Sequence, residues 1–428
     1  MSLSSLPREI VLEIADYLTY IGVNALACMN SQVYNFLNEH LYRLDVTKPQ
    51  SKSLTWAAEL GVEGTVKQAL YSGRHFTPVP ESFHIALLDA VDQGHVHLVQ
   101  LLMGVDNINL NFEGDLLDFE GSPLCLAVKR GHTAIIELLL AANDVDPNIG
   151  NESSLTPLYW ACRMGNVSVV RQLLARNDVS LEAIRRGPLQ LITPLTVACI
   201  YSRVEVINLL LAKDGIDINF NGDLHGETPL MIATSQRLEE VVKLLLDHEG
   251  IEVNRQDHSG WTALSMAAQL VSNLEVAKLL LEREDININL PDNHGRTPLF
   301  WACDSRCPEL VDLLLKKEGI DPNVRDIANG HTPLLAHVCR RLGSHAVTIV
   351  YLLLSSPDTD PNAVDNNGVS ILADLIDTWH AYFELSSFRA VGGYANLTSV
   401  PELQRRYYEV ESLLCEAGAS GAGDGYDF

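Results

Sequence analysis

Short apolar runs recur along this chain at a nearly constant spacing. The clearest ones open with Thr or Ser, usually followed by Pro and Leu, and stay apolar for about two helical turns. Their openings lie 34, 37, 35, 34, 35 and 35 residues apart, and they read SPLCLAV at Ser122, TPLYWAC at Thr156, TPLTVAC at Thr193, TPLMIAT at Thr228, TALSMAA at Thr262, TPLFWAC at Thr297 and TPLLAHV at Thr332. A fixed period of this length indicates one supersecondary unit repeated many times.

Each opening has the residues that start a helix. Thr or Ser accepts hydrogen bonds from the free N–H groups of a first turn, and Pro fits the first helical position because its φ is already helical. The apolar run then stops near a glycine that tolerates a left-handed backbone, at Gly61, Gly94, Gly131 and Gly165. A second apolar segment follows, such as AIIELLL, SVVRQLL or EVINLLL. The repeated unit is therefore predicted to be a helix pair.

Short polar links separate one predicted helix pair from the next. They read DVDPN, GIDIN, GIEVN, DININ and GIDPN, and they close on Asn148, Asn219, Asn254, Asn289 and Asn323. Asn suits turn conformations and can bond to the local backbone, so these links are predicted to be turns. Weaker copies of the repeat flank the series, as LTWAAELG from Leu54, LLDAVDQG from Leu87 and SILADLI from Ser370. The repeats therefore extend beyond the clearest copies.

Helix, turn, helix and hairpin-like loop at this period resemble the ankyrin repeat. The resemblance covers residues 53–418 and implies an all-α solenoid of about nine to ten repeats, in a style similar to fungal ankyrin proteins. The His that usually follows TPL in the family is missing here, so its hydrogen-bond ladder is expected to be absent. Later repeats carry Ser202, Arg237 and Arg306 in place of the inter-helix Gly. A left-handed backbone there costs on the order of 1 kcal/mol per residue, which predicts a less stable C-terminal half.

The last repeat is predicted to be interrupted. Residues 378–406 form an insertion between its two helices, before a final helix near Val410 to Ala417. Terminal repeats lack one neighbour and are often atypical for this reason. Residues 419–428 are rich in glycine. They are predicted to be a disordered tail, because a phosphate-binding loop would need a helix after it.

Tryptophan and cysteine recur at fixed positions within the repeats. The tryptophans of one column are Trp56, Trp160 and Trp301. A binding stripe would explain them, but other repeats hold mostly apolar residues in this column, which favours packing in the core. The cysteines of a second column are Cys162, Cys199 and Cys303, where other repeats have Ala or Val. Reduced cysteine behaves as a small apolar residue, so these thiols are predicted to be buried.

The first 45 residues differ from the repeats. Over about Leu3 to Arg43 they resemble the F-box, a short helical module that binds an adaptor protein, and the similarity rests on Leu6, Pro7, Ile10, Leu12, Ile14, Leu18, Leu26, Val33, Leu37 and the LYR at 41–43. The family often has Trp in its last helix where this chain has Tyr34. The resemblance implies that a Skp-type adaptor of a cullin ubiquitin ligase contacts Leu6, Pro7, Ile10, Leu12 and Leu18.

A second interpretation is that this segment only caps the first repeat. Its first helix would place Ile10, Val11, Ile14, Ala15, Tyr17 and Leu18 on one broad face. Leu12 at the margin widens the apolar arc to roughly 220°. Because capping uses one side of a helix, the remaining apolar side favours a partner. The F-box hypothesis is therefore preferred, with the cap as the alternative.

Charge and cysteine usage exclude several partners and sites. The chain has 30 Lys and Arg against 55 Asp and Glu, a net charge of −25, which repels nucleic acid and anionic membranes. No stretch approaches the roughly 20 uncharged apolar residues of a membrane helix, and the first residues carry charges where a signal peptide is apolar. The eight cysteines form no CxxC pair, so a reduced cytoplasmic or nuclear compartment is expected.

No residue pattern indicates a catalytic, cofactor or metal site. We therefore expect a non-enzymatic adaptor, monomeric on its own, that recruits an unidentified client protein to a cullin-type ubiquitin ligase. The repeats would hold the client and the F-box-like segment would hold the Skp-type adaptor. The alternative is an ankyrin scaffold or regulatory protein with no ligase role.

Overall fold

A computed structural model shows how the repeated sequence folds. It describes residues 52–73, 79, 81–112, 121–151, 154–186, 190–222, 224–270, 273–339, 345–377 and 400–420. The F-box-like segment, residues 378–399 of the predicted insertion and residues 421–428 lie outside these ranges. The described chain is almost entirely α-helical, as predicted. It divides into an N-terminal block, Met1–Gly215, and a C-terminal block, Ile216–Phe428.

Helix pairs follow one another through the described part of the N-terminal block. They are α1 (Lys52–Leu60) with α2 (Glu63–Gly73), α3 (Glu81–Asp92) with α4 (Val96–Met103), α5 (Pro123–Arg130) with α6 (Thr133–Ala141), α7 (Pro157–Met164) with α8 (Val167–Ala175), and α9 (Pro194–Ile200) with α10 (Val204–Leu211). The first helix of each pair packs on the first helix of the next, and second helices pack likewise. Each repeat therefore buries its apolar faces against its neighbours.

The C-terminal block has the same organisation. Its helix pairs are α11 (Pro229–Ser235) with α12 (Glu239–Leu246), α13 (Ala263–Gln269) with α14 (Leu274–Leu281), α15 (Pro298–Asp304) with α16 (Pro308–Leu315), α17 (Pro333–Cys339) with α18 (Ala346–Ser355), and α19 (371–377) with α20 (Val400–Glu416). Along this block too, α11, α13, α15 and α17 pack in succession, as do α12, α14, α16, α18 and α20. Both blocks are therefore helical solenoids, which confirms the predicted fold class.

One β-hairpin departs from the all-α prediction. Strand β1 (Ile184–Arg186) pairs antiparallel with β2 (Gln190–Ile192), and Ile184 lies opposite Ile192. The sequence carried one signal for it, because the 37 residues between Thr156 and Thr193 are the longest spacing in the series. The extra length allows this link to extend and pair with itself.

The Ser and Thr openings cap their helices as predicted. In each, the side-chain hydroxyl oxygen accepts a hydrogen bond from the N–H three residues later, at 3.1 to 3.4 Å. The capping residues are Ser122, Thr156, Thr193, Thr228, Thr262, Thr297 and Thr332. These bonds satisfy N–H groups that would otherwise lack a partner inside the helix.

The inter-helix turns adopt the predicted left-handed backbone. Glycine adopts it at φ of 74° to 78° in Gly61, Gly94, Gly131 and Gly165. Non-glycine residues adopt it at φ of 55°, 60° and 60° in Ser202, Arg237 and Arg306. The hydrogen bonds are the same in both cases: the N–H of Arg237 donates to the carbonyl of Thr234, as that of Gly131 does to Val128. The later repeats therefore keep the same turn, and the backbone of the non-glycine residue there is strained.

Replacing Arg237 by glycine should stabilise the C-terminal block by about 0.5–1 kcal/mol. Relief of left-handed strain is worth roughly 1–2 kcal/mol, whereas the added freedom of glycine in the unfolded chain costs about 0.5–1 kcal/mol. Arg237 is exposed, so the change leaves no cavity. Urea unfolding measures the difference. Lys243→Gly is the control, since this exposed residue lies inside α12; it should lose about 1 kcal/mol. A loss at Arg237 would contradict the strain interpretation.

The two predicted packing columns are buried to different degrees. Trp301 is 6% exposed, whereas Trp160 is only half-buried, and the side chain of Trp56 lies outside the described part of the structure. The cysteine column is fully buried, at 0–1% exposure for Cys162, Cys199 and Cys303. Burial raises the pKa of all three thiols, so they stay protonated and apolar. The cysteines thus pack as predicted, and Trp160 is the exception in its column.

Two boundaries in the last repeat differ from the prediction. Its second helix begins at Val400, well before the predicted Val410, so the insertion does not extend to residue 406. Pro401 in the first turn suits a helix start, and the buried residues Tyr407, Val410 and Leu414 lie on one face of α20. Residues 419 and 420, which were predicted to belong to a disordered tail, also differ from the prediction. Ser420 donates its backbone N–H to Oδ1 of Asn362 at 2.8 Å, so residues 419–420 still belong to the last repeat.

Candidate protein-binding surface

The asparagines of the links join successive repeats. Nδ2 of Asn148 donates to the carbonyl of Asp178 at 2.7 Å, and its Oδ1 accepts from the N–H of Ser180 at 2.7 Å. Two such bonds are made by Asn111, Asn148, Asn219, Asn254, Asn289, Asn323 and Asn362. The links form turns as predicted, and the asparagine amide in addition bonds to the backbone of the next repeat.

The residue two positions before each of these asparagines orients the side-chain amide. Oδ1 of Asp217 accepts the N–H of Asn219 at 3.0 Å, and Oδ1 of Asp321 accepts that of Asn323 at 2.9 Å. Such a local bond folds the link into a tight turn. The turn leaves the asparagine side chain pointing along the stack. The D-x-N pattern was visible in the sequence, but the backbone groups that its asparagine bonds to lie 30 or more residues away.

Loop tips in the C-terminal block are tied by backbone hydrogen bonds. The N–H of His258 donates to the carbonyl of His225 at 2.9 Å, and that of Ile327 donates to His294 at 2.7 Å. The tips therefore form a continuous surface rather than separate loops. This surface exposes apolar side chains, because Leu224 is 55% exposed and Ile327 is 69% exposed. Loops held on a rigid scaffold commonly carry the binding residues of a protein.

A buried carboxylate organises one of these tips. Asp292, 4% exposed, accepts hydrogen bonds from Nε of Arg296 and Nε1 of Trp301, both at 3.2 Å. The Arg296 guanidinium lies 4.0 Å from the Trp301 ring centre, and the rings of Trp301 and Trp261 are 4.4 Å apart. These contacts use most of the polar groups of the cluster. Its role is therefore to hold the loop in place.

A different cluster, the Trp160 patch, lies at the ends of three successive first helices in the N-terminal block. It consists of Lys129 on α5, Trp160 and Arg163 on α7, and Tyr201 just after α9. Nζ of Lys129 and Cζ of Arg163 each lie 5.1 Å from the Trp160 ring centre. Arg163 is also 5.2 Å from the Tyr201 ring. All four side chains are partly exposed, so the patch is open to a partner.

The buried cysteine column lacks thiolate character, as burial raises its pKa values. Across the described ranges, His, Cys, Asp and Glu form no group that would hold a metal ion. In the same ranges, every helix is too short or too polar to span a bilayer. What this part of the chain does present is polar and aromatic surface of the kind that binds other proteins.

The predicted adaptor-binding residues lie outside the described part of the structure. Leu6, Pro7, Ile10, Leu12 and Leu18 all precede residue 52, where the description begins. The Trp160 patch, in turn, was not predicted from the sequence. A signal existed in Lys129 and Arg163, which follow the tryptophan column by three residues in their repeats. It could not be read as a cluster, because its members meet only when three repeats stack.

Comparison with known proteins identifies the repeat. The family model for ankyrin repeats, described as three copies, matches residues 83–183, 186–257 and 249–326. Among solved structures, the ankyrin repeat domain of Bcl-3, a member of the IkappaB protein family, is 26% identical, with a TM-score of 0.45 over 53% of this chain and 98% of that chain. A search of curated proteins found no match. Because the family model covers more than half of the residues, the chain belongs to the ankyrin-repeat family.

Proposed function

We propose that this protein recruits a client protein to a cullin-type ubiquitin ligase, with the client on the ankyrin repeats and a Skp-type adaptor on residues 1–45. Ankyrin repeats are protein–protein interaction modules, and the chain is one over most of its length. The sequence Leu6-Pro7 followed by Ile10, Leu12 and Leu18 supports the adaptor site. The ankyrin fold is typically non-catalytic, which suits an adaptor.

The order of the segments along the chain also supports separate binding sites for the adaptor and the client. The family match begins at residue 83, and the first described helix begins at Lys52. Residues 1–45 therefore precede the repeats along the chain, so the adaptor site and the client site would lie on separate segments. An F-box must present one apolar surface to its adaptor while the rest of the chain binds elsewhere.

Deleting residues 1–45 should abolish co-purification of a Skp-type adaptor with the full chain. Since each repeat contacts only its neighbours, most of the helical signal in circular dichroism should remain. Leu12→Asp combined with Leu18→Asp places charge in the proposed apolar interface and should have the same effect. Leu60→Asp is the matched control, because Leu60 is 56% exposed on α1, outside the segment, and its substitution should leave the adaptor bound.

The alternative is a scaffold whose N-terminal helices cap the first repeat. It predicts no adaptor on the intact protein and loss of helical signal when residues 1–45 are removed. That pair of results would reject the ligase role while leaving the ankyrin interaction module in place. A client identified by affinity purification and mass spectrometry would be informative under either function.

A further inference from the structure

Asparagine followed by glycine occurs three times in the chain, and one of these pairs differs from the other two in its hydrogen bonds. The pairs are Asn221-Gly222, Asn329-Gly330 and Asn367-Gly368. Asparagine is chemically labile before glycine, because the backbone nitrogen of the next residue can attack the side-chain amide and glycine has no side chain to hinder the approach. The hydrogen bonding of each glycine N–H therefore decides which pair reacts.

Two of the three pairs lie in hydrogen-bonded turns. The N–H of Gly330 donates to the carbonyl of Asp326, and that of Gly368 donates to the carbonyl of Asp365, both at 3.1 Å. Both glycines have a left-handed backbone, with φ of 75° and 80°. A nitrogen in such a turn must lose its hydrogen bond before it can attack the preceding side chain, so folding protects these two asparagines.

The Asn221-Gly222 pair lies in the link between α10 and α11 and lacks this protection. The N–H of Gly222 donates to no acceptor in the described part of the chain, and both residues are partly exposed, so water reaches them.

Arg255 contacts the same asparagine. Its Nη2 donates to Oδ1 of Asn221 at 3.1 Å, while its Nη1 donates to Oε2 of Glu252 at 2.9 Å, which holds the guanidinium in place. A cationic donor at Oδ1 draws electrons from the amide carbon. It also stabilises the negative charge that forms on this oxygen when a nitrogen attacks. The pair with the available backbone nitrogen is therefore also the pair with an activated amide.

We propose that Asn221 is a site of spontaneous deamidation, promoted by Arg255. The backbone nitrogen of Gly222 bonds to Cγ of Asn221 and loses its proton to water. The bond between Cγ and Nδ2 breaks, and Nδ2 takes up a proton and leaves as ammonia, so a succinimide ring remains. Water then opens the ring at either of its carbonyls and gives aspartate or isoaspartate. Water is the sole co-reactant.

Either product changes the chemistry of this link. Each adds a negative charge beside Arg255, and isoaspartate also lengthens the main chain by one carbon atom. The modified residue would lie between Asn219, which bonds to the next repeat, and Leu224, which is 55% exposed at its loop tip. Deamidation would therefore alter the candidate binding surface of the C-terminal block, independently of the adaptor segment.

The test incubates the full chain in heavy-oxygen water at mildly alkaline pH, so that each deamidation takes up a heavy oxygen atom. Pepsin digestion in acid stops the reaction, and fragmentation mass spectrometry locates the label. In the folded chain, Asn221 should be labelled at least about tenfold faster than Asn329 and Asn367, because their turns must open first. In concentrated urea the turns are lost, and the three rates should converge to within about threefold.

Arg255→Met removes the donor to Oδ1 and should slow the labelling of Asn221 by about fivefold, a factor typical of one hydrogen bond. Arg237→Met is the matched control, because Arg237 is exposed in the same block and its loss changes the net charge equally. It should leave the rate at Asn221 within about twofold. Asn329 and Asn367 report on folding in the same samples, since their labelling accelerates if the block opens.

Three results would each overturn the proposal. One is equal labelling of the three pairs in the folded chain, and another is a preference for Asn221 that persists in urea, which would assign the reactivity to the local sequence. The third is an equal rate at Asn221 in Arg255→Met and Arg237→Met. Adaptor co-purification is measured separately, so its failure would leave the assignment of Asn221 unchanged.

Discussion

Acidification from about pH 7 to about pH 4 should destabilise the C-terminal block by about 3 kcal/mol through one side chain, His337. This histidine lies on α17 and is 7% exposed. It borders a cavity of about 30 Å³ lined by Phe300, Cys303, Asp304, Arg306, Pro333 and Ala336. Burial lowers the pKa of His337 to about 4, and the nearby charge of Arg306 acts in the same direction, while the Cys303 carbonyl and Asp304 oppose it.

The sign follows from comparing the folded and unfolded chains. In the unfolded chain a histidine takes up a proton below about pH 6.5, whereas folded His337 stays neutral until about pH 4. The unfolded state therefore binds more protons between these values, and the free energy of unfolding rises with pH across that window. Stability is complete above about pH 6.5 and is lost progressively as the pH falls toward 4.

His337→Gln should remove this part of the pH dependence. Urea unfolding of the wild type and the variant at several pH values isolates it, because the carboxylates contribute equally to both proteins. His294→Gln is the control: His294 is exposed at a loop tip, so the same substitution there should leave the pH profile of the wild type intact. If the wild type and His337→Gln lose the same free energy on acidification, the assignment to His337 is wrong.

Asn289→Ala should destabilise the C-terminal block by about 2 kcal/mol. Nδ2 of Asn289 donates to the carbonyl of Gly319 at 2.6 Å, and its Oδ1 accepts from the N–H of Asp321 at 2.9 Å. Each lost hydrogen bond costs about 1 kcal/mol. Asn289→Asp should cost more than Asn289→Ala, because a carboxylate oxygen would then face the Gly319 carbonyl oxygen.

Asn367→Ala is the matched control for the asparagine bonds. The Asn367 amide donates to Asp365 of its own exposed turn, at 3.1 Å, and it bridges no repeats. Its removal should change stability by less than about 0.5 kcal/mol. The two variants are compared by urea unfolding at neutral pH. Equal effects at Asn289 and Asn367, or an aspartate tolerated better than alanine, would show that bonding between repeats contributes little.

Features that depend on a few adjacent residues could be predicted from the sequence. Thr156 with Pro157 starts a helix by itself, and Arg237 occupies a position whose geometry the other repeats reveal through glycine. The direction of the Asn289 amide could not be predicted, because its partners are backbone atoms of the following repeat. The hydrogen bond that the backbone N–H of such an asparagine donates is local. The hydrogen bonds that its side-chain amide makes reach the next repeat.

The site was less predictable than the fold for the same reason. Trp160 sits in a column that is apolar in the other clear repeats, and the column alone indicates core packing. Trp160 is nevertheless half-buried, and cations from α5 and α7 lie over its ring, an arrangement that exists only after two repeats have stacked. The start of α20 at Val400 was missed because the charged residues that precede Val410 were assigned to the insertion.

The asparagine bonds also bear on how such a chain changes over generations. Asn289 recognises one carbonyl and one N–H of the next repeat, groups that nearly every residue provides whatever its side chain. A duplicated helix pair would therefore present the same two groups to its new neighbour and would accept the same amide. Unequal recombination can add or remove whole repeats at these joints without a compensating substitution, so the number of stacked repeats is free to evolve separately from their composition.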